Sequence, residues 1–486
     1  MSKLFKITLL LSIFFGLNKL VALFRQALIA RQFGLSPEID AFNVANNVPD
    51  LLFSLISGGA LALAFIPVLT EYIDKEGRKE SWLLFSRIAN LVFVSTAVLS
   101  VVVALFAPQL ISSEFGIAPG FTSPQQDLTT NLMRINLIAT LIFSLSGLLM
   151  AALQSNKHFL LPAVAPILYN VGQIFGAMVI APVFGIGVYG LAYGVLIGAL
   201  LHLLIQIPGM IRYGFVWSPT FGLHDAGVQK VLRLLGPRIL TVLFIQIIFL
   251  TRDNLASRLH EGAVSALTYG YFIMQVPETL IGSAIATALL PTLSHFADTK
   301  NEKAFTETLN RTIRVVLSLS FVLTAILIVG LDIFLDLIFH FKPDANALLG
   351  MTTKAYLLGL FGQCMLEIVT RAYYARQDSR TPFFVTLVRM LLFIVLSVVF
   401  LKPFGAPGLA FFDSLTVTFE VGVLLFLLYK SQPELLKMNG TLSRMIRACI
   451  AAGLIIVLFP GIPSIILGSV LAFITIRKEL RLLTQL

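Results

Sequence analysis

Lys19, Arg25, Arg252 and Asp253 are charged residues that lie inside strongly apolar stretches of this 486-residue sequence. A charge at the centre of a bilayer costs about 2.5–3.5 kcal/mol on insertion scales, so four such residues would cost about 10 kcal/mol if unpaired. We therefore expect these side chains to face a wet cavity or one another. Arg252 and Asp253 are adjacent, so an internal ion pair and a place in a cavity both remain open for them.

The surplus of cationic groups predicts an anionic ligand. Arginine binds phosphate with two parallel hydrogen bonds, and lysine acts on it as a point charge. The acids nearest to Lys19 and Arg25 are Asp40 and Asp50, which lie in the next predicted helix. A diphosphate or an acidic sugar would match two or three such cations.

The sequence shows no signature of an enzyme. It has no glycine-rich phosphate loop with lysine, its six histidines form no cluster, and no Ser/His/Asp arrangement is evident. Cys364 and Cys449, the only two cysteines, both fall in predicted membrane spans, which argues against a disulfide framework or a cysteine metal site. We expect a transporter that needs no cofactor and no metal. The net charge of +10 comes mostly from short loops, which indicates membrane orientation rather than nucleic-acid binding.

The elements that position these charges are predicted to be membrane helices. Hydrophobic residues make up 57% of the chain and charged residues 12%, whereas a soluble domain carries about 25% charged residues. Apolar runs long enough to span a bilayer recur throughout, which predicts an all-α polytopic membrane protein. The fourteen predicted transmembrane helices are 4–32, 40–72, 82–107, 128–154, 160–182, 187–211, 228–258, 264–297, 305–338, 347–376, 381–401, 407–430, 442–459 and 463–478.

The loops between these spans alternate in charge. Residues 74–80, 298–303, 371–380 and 430–437 are basic or mixed, whereas 107–127 contains neither lysine nor arginine. By the positive-inside rule the basic set is cytoplasmic. We therefore expect both termini in the cytoplasm of a bacterial cell and the protein in its inner membrane.

An internal repeat organises the chain. Arg25 and Arg252 occupy the same place in two copies of L-x-R-x-x-L-x-x-R, and further matches follow in the same order. VPDLL at 48–52 recurs as VPETL at 276–280, AFIPVLTEY at 64–72 as ALLPTLSHF at 288–296, NKHFLLPAV at 156–164 as DSRTPFFV at 378–385, and GVYGLAYG at 187–194 as GAPGLAFF at 405–412. Six spans separate the matching helices, so both copies share one orientation.

This repeat predicts two six-helix bundles related by a pseudo-twofold axis along the membrane normal, with a central cavity between them. The predicted domains are an N-terminal lobe at 1–220, a C-terminal lobe at 221–432, and two additional transmembrane helices at 433–486. Parallel repeats of this kind are typical of transporters that rock two bundles around a fixed site.

The repeat motifs carry a resemblance to a known family. FRQALIARQFGLSPEIDAFNVANNVPDLL, GGALALAFIPVLTEY, ASRLHEGAVSALTYGY, QVPETLIGSAIATALLPTLS and YYARQDSRTP resemble the MurJ/MviN family of the multidrug/oligosaccharidyl-lipid/polysaccharide exporter superfamily. The resemblance spans nearly the whole chain. It implies a flippase for lipid II, the undecaprenyl-diphosphate-linked peptidoglycan precursor, that works by alternating access through a cationic cavity. It also implies that the last two helices form a groove for the lipid tail.

The resemblance also implies site residues. Arg25 matches a basic residue that the family needs in its first helix, Asp40 matches an acidic residue at the start of the second, and Lys19 stands where an arginine is usual. With Arg252 in the seventh helix, these residues form the expected substrate-binding set, and Asp253 is expected to line the same cavity.

Three positions depart from the family pattern. Gln26 stands where aspartate is frequent, and Phe53 and Phe272 stand where the second and eighth helices usually carry arginines. Both rings are expected to line the cavity or to pack as ordinary hydrophobic side chains. If they line it, the anion site shifts toward Lys19, Arg25 and Arg252.

Several functions therefore remain open. The first is a lipid II flippase that contacts membrane lipids and the cell-wall synthesis machinery. The second is a flippase for another polyprenyl-diphosphate-linked glycan, such as an exopolysaccharide or O-unit. A drug or cation antiporter of the same superfamily is disfavoured, because the first two helices offer basic groups where such a protein needs acidic ones. A scaffold without transport activity would tolerate the loss of Arg25.

Overall fold

The structure is a computed structural model, and it describes residues 3–57, 59–339, 341–438, 440–459 and 461–482. Within these ranges all regular secondary structure is helical. Each of the fourteen predicted spans coincides with one helix or with two consecutive helices, except that the spans predicted at 381–401 and 407–430 are two arms of one long bent helix. The chain is therefore the all-α protein that its composition predicts.

Packing divides the chain into two compact units, Met1–Val264 and Ser265–Leu486. The first unit contains α1 (Lys3–Phe33), α2 (Pro37–Leu52), α3 (Gly59–Lys75), α4 (Gly77–Ser112), α5 (Ser123–Ser155), α6 (Leu160–Phe175), α7 (Ala181–Phe184), α8 (Tyr189–Leu204), α9 (Ile207–Arg212) and α10 (Ala226–Ala256). The sequence repeat predicts a lobe boundary after residue 220. The first packing unit extends beyond this position to include α10, because α10 packs on α3 and α2.

The second unit contains the rest of the helices. They are α11 (Ala263–Glu278, which begins at the unit boundary), α12 (Ala284–Asp298), α13 (Glu302–Ile338), α14 (Pro343–Leu358), α15 (Leu360–Ala375), α16 (Arg380–Ser431), α17 (Thr441–Leu458), α18 (Ile462–Thr475) and α19 (Arg477–Leu480).

The helices suit a lipid environment. In the described part of the chain, eight helices are long enough and apolar enough to cross a membrane. On α4 the exposed side chains include Val98, Val101, Leu105 and Phe106. An exposed apolar stripe of this length is expected on a helix that faces acyl chains and is rare on a soluble protein.

Capping residues mark the N-terminal ends of α2 and α10, two helices that carry predicted site residues. Ser36 precedes α2, and its Oγ accepts a hydrogen bond from the backbone N–H of Ile39 at 3.4 Å. Pro37 follows at the first helical position, where its missing N–H costs nothing. Asp225 caps α10 in the same way, because its Oδ1 accepts from the N–H of Val228 at 3.0 Å.

The two halves of the repeat share local backbone breaks. A π-helical segment, Phe53–Ser57, follows Pro49 in α2, and a second, Thr279–Ser283, follows Pro277 in α11. Each proline lacks a backbone N–H, which weakens the α-helical hydrogen bonding around it. The recurrence of this break supports the repeat that the sequence predicts.

A turn also recurs after α5 in the first half of the repeat and after α15 in the second half. Lys157 follows α5 with φ 59°, and Gln377 follows α15 with φ 59°. The next residue in each turn donates its N–H to a carbonyl five positions earlier, His158 to Leu153 at 2.9 Å and Asp378 to Tyr373 at 3.0 Å. Because left-handed φ values are uncommon outside glycine, this agreement is unlikely to arise by chance.

Glycines set the close approach of α6 and α8 in the first unit. A Cβ added at Gly172 would meet the backbone of Gly198, and one at Gly176 would meet the backbone of Gly190 and Gly194. These glycines follow a small-xxx-small spacing, which lets membrane helices pack backbone against backbone. The contact holds α6 in place beside α1, on which the candidate site depends.

The C-terminal helices pack on α13 within the second unit. Their interface is a small apolar cluster of Val322, Ile326, Ala448, Ala452, Ile456, Ala472 and Ile476. At its end the buried Glu479 accepts hydrogen bonds at Oε1 from Arg444 Nε at 2.8 Å and from Thr441 Oγ1 at 3.1 Å, and it forms an ion pair with Arg314 at 3.6 Å. Burial raises the pKa of Glu479, but the hydrogen bonds from Arg444 outweigh this and hold the pKa below its ordinary value.

Candidate functional site

The helix α2 carries polar side chains that contact several neighbouring helices of the first unit. Asp40, in its first turn, is buried, and its Oδ2 accepts a hydrogen bond from the backbone N–H of Gly262 at 2.7 Å. Asn46 accepts from Asn136 of α5 at 2.9 Å. The hydrogen bond of Asp40 therefore connects the start of α2 to the segment after α10. Asp50, which lies near Arg25, is ten positions further along the same helix.

Arg25 is the predicted site residue with the clearest position for ligand binding. It is half-buried on α1, and its Nη2 lies 3.4 Å from Oε1 of Gln26. Its guanidinium acts electrostatically on Asp50 of α2, and both groups act on Tyr169 of α6. Asp50 itself is exposed. One cation, one exposed carboxylate and one phenol are thus brought together from three helices.

Arg252 and Asp253 form the ion pair that the sequence left open. Both side chains are buried, and Nε of Arg252 donates to Oδ1 of Asp253 at 2.8 Å. The other carboxylate oxygen accepts from Nδ2 of Asn47 at 2.8 Å. The Arg252 guanidinium also lies over the ring of Phe249, at 5.1 Å from the ring centroid. This network joins α10 to α2, one helical turn before Asp50.

Lys19 lies on α1 but on a different side from Arg25. The two residues are six positions apart, about 1.7 helical turns, so they do not share a face. Asn18, seven positions before Arg25, does share its face, and its Oδ1 accepts from Nδ2 of Asn170 on α6 at 2.9 Å. Lys19 is half-buried and has no ion pair or hydrogen bond within the part of the chain that the structure describes.

The two phenylalanines occupy different environments. Phe53 opens the π-helical segment, and its ring packs against Phe143 with centroids 5.4 Å apart. Phe143 in turn contacts the rings of Tyr169 and His202 edge to face. Phe53 therefore contributes to an aromatic cluster that includes the phenol beside Arg25. Phe272 is half-buried on α11 of the second unit.

The sequence alone indicated the charged partners of Arg25 and Arg252 but not their uncharged neighbours. Asp50 was visible as a nearby acid, but Asn47 and Tyr169 carry no signal until α2 and α6 pack against α10 and α1. The described residues contain no cluster of three or more His, Cys, Asp or Glu side chains that could hold a metal ion. The arrangement can attract an anion through Arg25, and Tyr169 can donate a hydrogen bond to it.

Comparison with solved structures shows which known fold the chain has. The chain is similar to a structure described as lipid II flippase MurJ in an inward closed conformation, with a TM-score of 0.84, 23% identity, and coverage of 98% of this chain and 100% of that one. It is also similar to an inward-facing multidrug resistance MATE family transporter of the MOP superfamily, with a TM-score of 0.72, 15% identity, and coverage of 84% and 93%. The chain therefore has the fold of these two structures.

Sequence comparison then defines the family. The family model described as Lipid II flippase MurJ matches residues 29–478. The lipid II flippase MurJ of Burkholderia cenocepacia is 32% identical over 84% of this chain and 80% of its own length. A probable lipid II flippase MurJ of Vibrio cholerae is 28% identical over 87% and 82%. The chain belongs to the MurJ family and is a transporter rather than an enzyme, as the resemblance in the sequence implies.

Proposed function

We propose that this protein flips lipid II, the undecaprenyl-diphosphate-linked peptidoglycan precursor, across the bacterial inner membrane by alternating access. Family membership over residues 29–478 supports the substrate. The observation that carries the proposal is the position of Arg25, a half-buried guanidinium on a membrane helix whose nearby carboxylate, Asp50, is exposed.

In this proposal Asp50 is the resting counter-ion of Arg25. A charge on an apolar helix needs a partner, and Asp50 provides one when no ligand is present. A diphosphate carries more negative charge than one carboxylate and matches the guanidinium fork with two parallel hydrogen bonds. The headgroup therefore displaces Asp50, and Tyr169 can donate a further hydrogen bond to it.

The remaining predicted residues take supporting roles. Lys19 attracts the headgroup as a second positive charge from another side of α1. Arg252 and Asp253 hold α10 against α2, and Asp40 holds the start of α2, so these three act on the site through the helices they connect. Phe53 packs against Phe143 in the aromatic cluster that includes Tyr169, and Phe272 remains a predicted cavity-lining residue.

The location and partners follow from the same proposal. The basic loops favour a cytoplasmic location for both termini, and the substrate favours a multi-pass protein of the inner membrane. Contact with the cell-wall synthesis machinery would deliver the substrate, and no nucleic-acid partner is expected.

The test is complementation of a bacterial strain depleted of its only lipid II flippase. The wild-type gene should restore growth, and Arg25→Ala should not, although its level in the membrane stays normal. Arg212→Ala is the matched control, because Arg212 is an exposed arginine at the end of α9. Growth of the Arg25→Ala strain at the wild-type rate would contradict the proposed role of this residue.

A binding experiment tests the exchange of Asp50 for the diphosphate. Affinity for a short-chain polyprenyl diphosphate should fall in Arg25→Ala and rise in Asp50→Asn, because the neutral amide no longer competes for the guanidinium. If both variants lose affinity, Asp50 binds the ligand directly and is not a competitor.

The second candidate function is a flippase for another polyprenyl-diphosphate-linked glycan, and Phe53 and Phe272 favour it. Neither ring can pair with phosphate, although a ring face can stack on a sugar. If the wild-type gene fails to rescue the depleted strain and Phe53→Arg rescues it, the native substrate is a different glycan.

A further inference from the structure

An exposed arginine lies on α5, away from the candidate site. Arg134 stands eleven positions after Ser123, where α5 begins, and this helix is long enough and apolar enough to cross a membrane. Its side chain shares one face of the helix with Asp127, Asn131 and Ile138, because the spacings are seven, three and four positions. All four side chains are exposed. A polar stripe therefore runs from the start of α5 down to Arg134.

The neighbouring helix α4 holds the guanidinium in place. Nε of Arg134 donates a hydrogen bond to the carbonyl oxygen of Ala104 on α4 at 3.1 Å. In an α-helix this carbonyl accepts from the N–H four positions later, but that position is Pro108, which has no N–H. The contact therefore satisfies a carbonyl group that the proline leaves free, and it fixes one edge of the guanidinium against α4.

The other two nitrogens of this guanidinium are available for a ligand. Neither Nη1 nor Nη2 of Arg134 has a hydrogen-bond or ion-pair partner in the described ranges of the chain. Asp127, the acid on the same face, is seven positions away, which is about 10 Å along the helix axis. A charged group on an apolar span is unfavourable unless it finds a partner. The partner must therefore come from outside the described chain.

The surroundings of Arg134 are suited to acyl chains. Val101 and Leu105 of α4, which lie three positions before Ala104 and one after it, are exposed, and so is Ile138 of α5. A phospholipid carries an anionic phosphate next to its acyl chains. An exposed cation that is flanked by exposed apolar side chains fits such a molecule better than it fits a water-soluble anion.

The direction of the side chain favours a lipid headgroup over a partner helix. Side chains of an α-helix lean toward its N-terminus, and for Arg134 this end joins the loop 113–122 between α4 and α5. A long arginine side chain can extend along the helix and bring its charged end to the membrane interface. A carboxylate on a partner membrane helix would instead be needed for a guanidinium directed toward the bilayer centre.

We propose that Arg134 binds the phosphate group of a phospholipid in the leaflet on the side of the loop 113–122, which the charge pattern of the sequence predicts to be the outer leaflet. The guanidinium matches phosphate oxygens with parallel hydrogen bonds from Nη1 and Nη2. The amide of Asn131, one turn nearer the headgroups, donates a further hydrogen bond. The bound phosphate neutralises the guanidinium and fixes the depth at which α5 crosses the bilayer. This site does not depend on the proposed transport function.

Native mass spectrometry of the purified full-length protein measures this binding. Dioleoylphosphatidylglycerol is titrated into the detergent solution, and dioleoylglycerol, which has the same acyl chains but no phosphate, is titrated in parallel. The affinity for the phospholipid should fall roughly ten-fold in Arg134→Gln. It should fall less in Arg134→Lys, which keeps the charge but not the fork. Lys437→Gln is the matched control, because Lys437 already forms a surface ion pair with Glu434, and it should bind like wild type.

A second pair of variants separates lipid binding from the contact with Ala104. Pro108→Ala supplies the missing N–H, so the carbonyl of Ala104 no longer needs Arg134. Pro108→Ala should bind the phospholipid like wild type, and adding Arg134→Gln to it should still lower the affinity roughly ten-fold without changing the unfolding midpoint. Equal affinities of these two variants would overturn the proposal and leave Arg134 with the structural contact alone.

Photocrosslinking identifies the occupant in the cell membrane. With Ile138 replaced by the photoreactive residue benzoylphenylalanine, irradiation should give adducts with the mass of a phospholipid, and fewer of them when Arg134→Gln is added. A crosslink to another protein in their place would assign the guanidinium to an acidic membrane helix and overturn the lipid. Equal affinity for dioleoylglycerol, or displacement of the phospholipid by inorganic phosphate, would also overturn it, because the headgroup is then not recognised or the ligand is a free anion.

Discussion

The contact between Glu479 and two arginines predicts how firmly the last helices of the chain are held. Removing one partner of a buried ion pair costs about 3–5 kcal/mol. Here the side chains of Arg314 and Arg444 are 14% and 17% exposed, so water can partly solvate them in a variant. Glutamine also keeps one carbonyl oxygen as an acceptor. We therefore expect Glu479→Gln to lower the free energy of unfolding by about 2–3 kcal/mol, which is at or below the lower limit of that range.

The assay is unfolding of the purified protein in mixed micelles by increasing fractions of a denaturing detergent. The matched control is Glu434→Gln, because Glu434 forms an ion pair with Lys437 in which both side chains are more than half exposed. Such surface pairs contribute about 0–1 kcal/mol. The two variants remove the same charge from the same protein and differ in burial.

The pH dependence gives a second check on the same variant. Because the folded protein holds the pKa of Glu479 below its ordinary value, the ionised carboxylate stabilises the fold fully above the unfolded pKa of about 4.3. This stabilisation is lost as the pH falls through the lower pKa of the folded state. The difference between wild type and Glu479→Gln should therefore be constant near neutral pH and shrink in acid. Equal effects of the two variants, or a difference that grows in acid, would refute the reasoning.

Three further predictions concern packing and topology. Gly198→Ala should lower the free energy of unfolding by about 1–3 kcal/mol through overpacking, because the added Cβ would lie 2.6 Å from a backbone oxygen. The control Gly236→Ala should not lower it, because the space around Gly236 is open. Equal stabilities of the two variants would contradict the close α6–α8 contact. Asp40→Ala should lower the free energy of unfolding by about 1–3 kcal/mol, because it leaves the buried N–H of Gly262 without its acceptor. Asp40→Asn should lower it less, because the amide oxygen can still accept this hydrogen bond. A larger loss of stability in the asparagine variant would argue against this role. A cysteine at Lys79 should react with an impermeant reagent only from the cytoplasmic side and one at Phe115 only from the outside, and the reverse pattern would overturn the predicted orientation.

The sequence allowed the helices to be predicted but not their internal breaks. Long apolar runs locate the spans, because a bilayer demands about 20 apolar residues for each crossing. Pro49 and Pro277 look like ordinary kinks in the sequence, and the π-helical segments after them depend on hydrogen bonding that no short motif reports. The break at Gly405 was easier to predict, since glycine and two prolines occur together within six residues.

The charged residues of the site were predictable from the sequence, and their uncharged neighbours were not. A charge inside an apolar run is visible by inspection, and this signal identified Arg25 and Arg252. Tyr169 is 144 positions after Arg25, and only the packing of α6 on α1 brings them near each other. Arg389, Asp413 and Glu420 are also charged residues in the apolar sequence of α16, and Arg389 forms ion pairs with the other two. The sequence does not show that the bend in α16 brings these three side chains together.

The π-helical segments have a consequence for how the length of this chain can change during evolution. A π turn accommodates one residue more than an α turn, so deleting one residue from Phe53–Ser57 or Thr279–Ser283 would convert the segment to α-helix and leave the flanking helices facing their neighbours. The same deletion in the middle of α4 would rotate everything after it by about 100° and turn its lipid-facing stripe inward. A third π-helical segment, Gly176–Ile180 between α6 and α7, can absorb a deletion in the same way as the first two. Single-residue length differences among homologous chains should therefore concentrate in these three segments and in the loops.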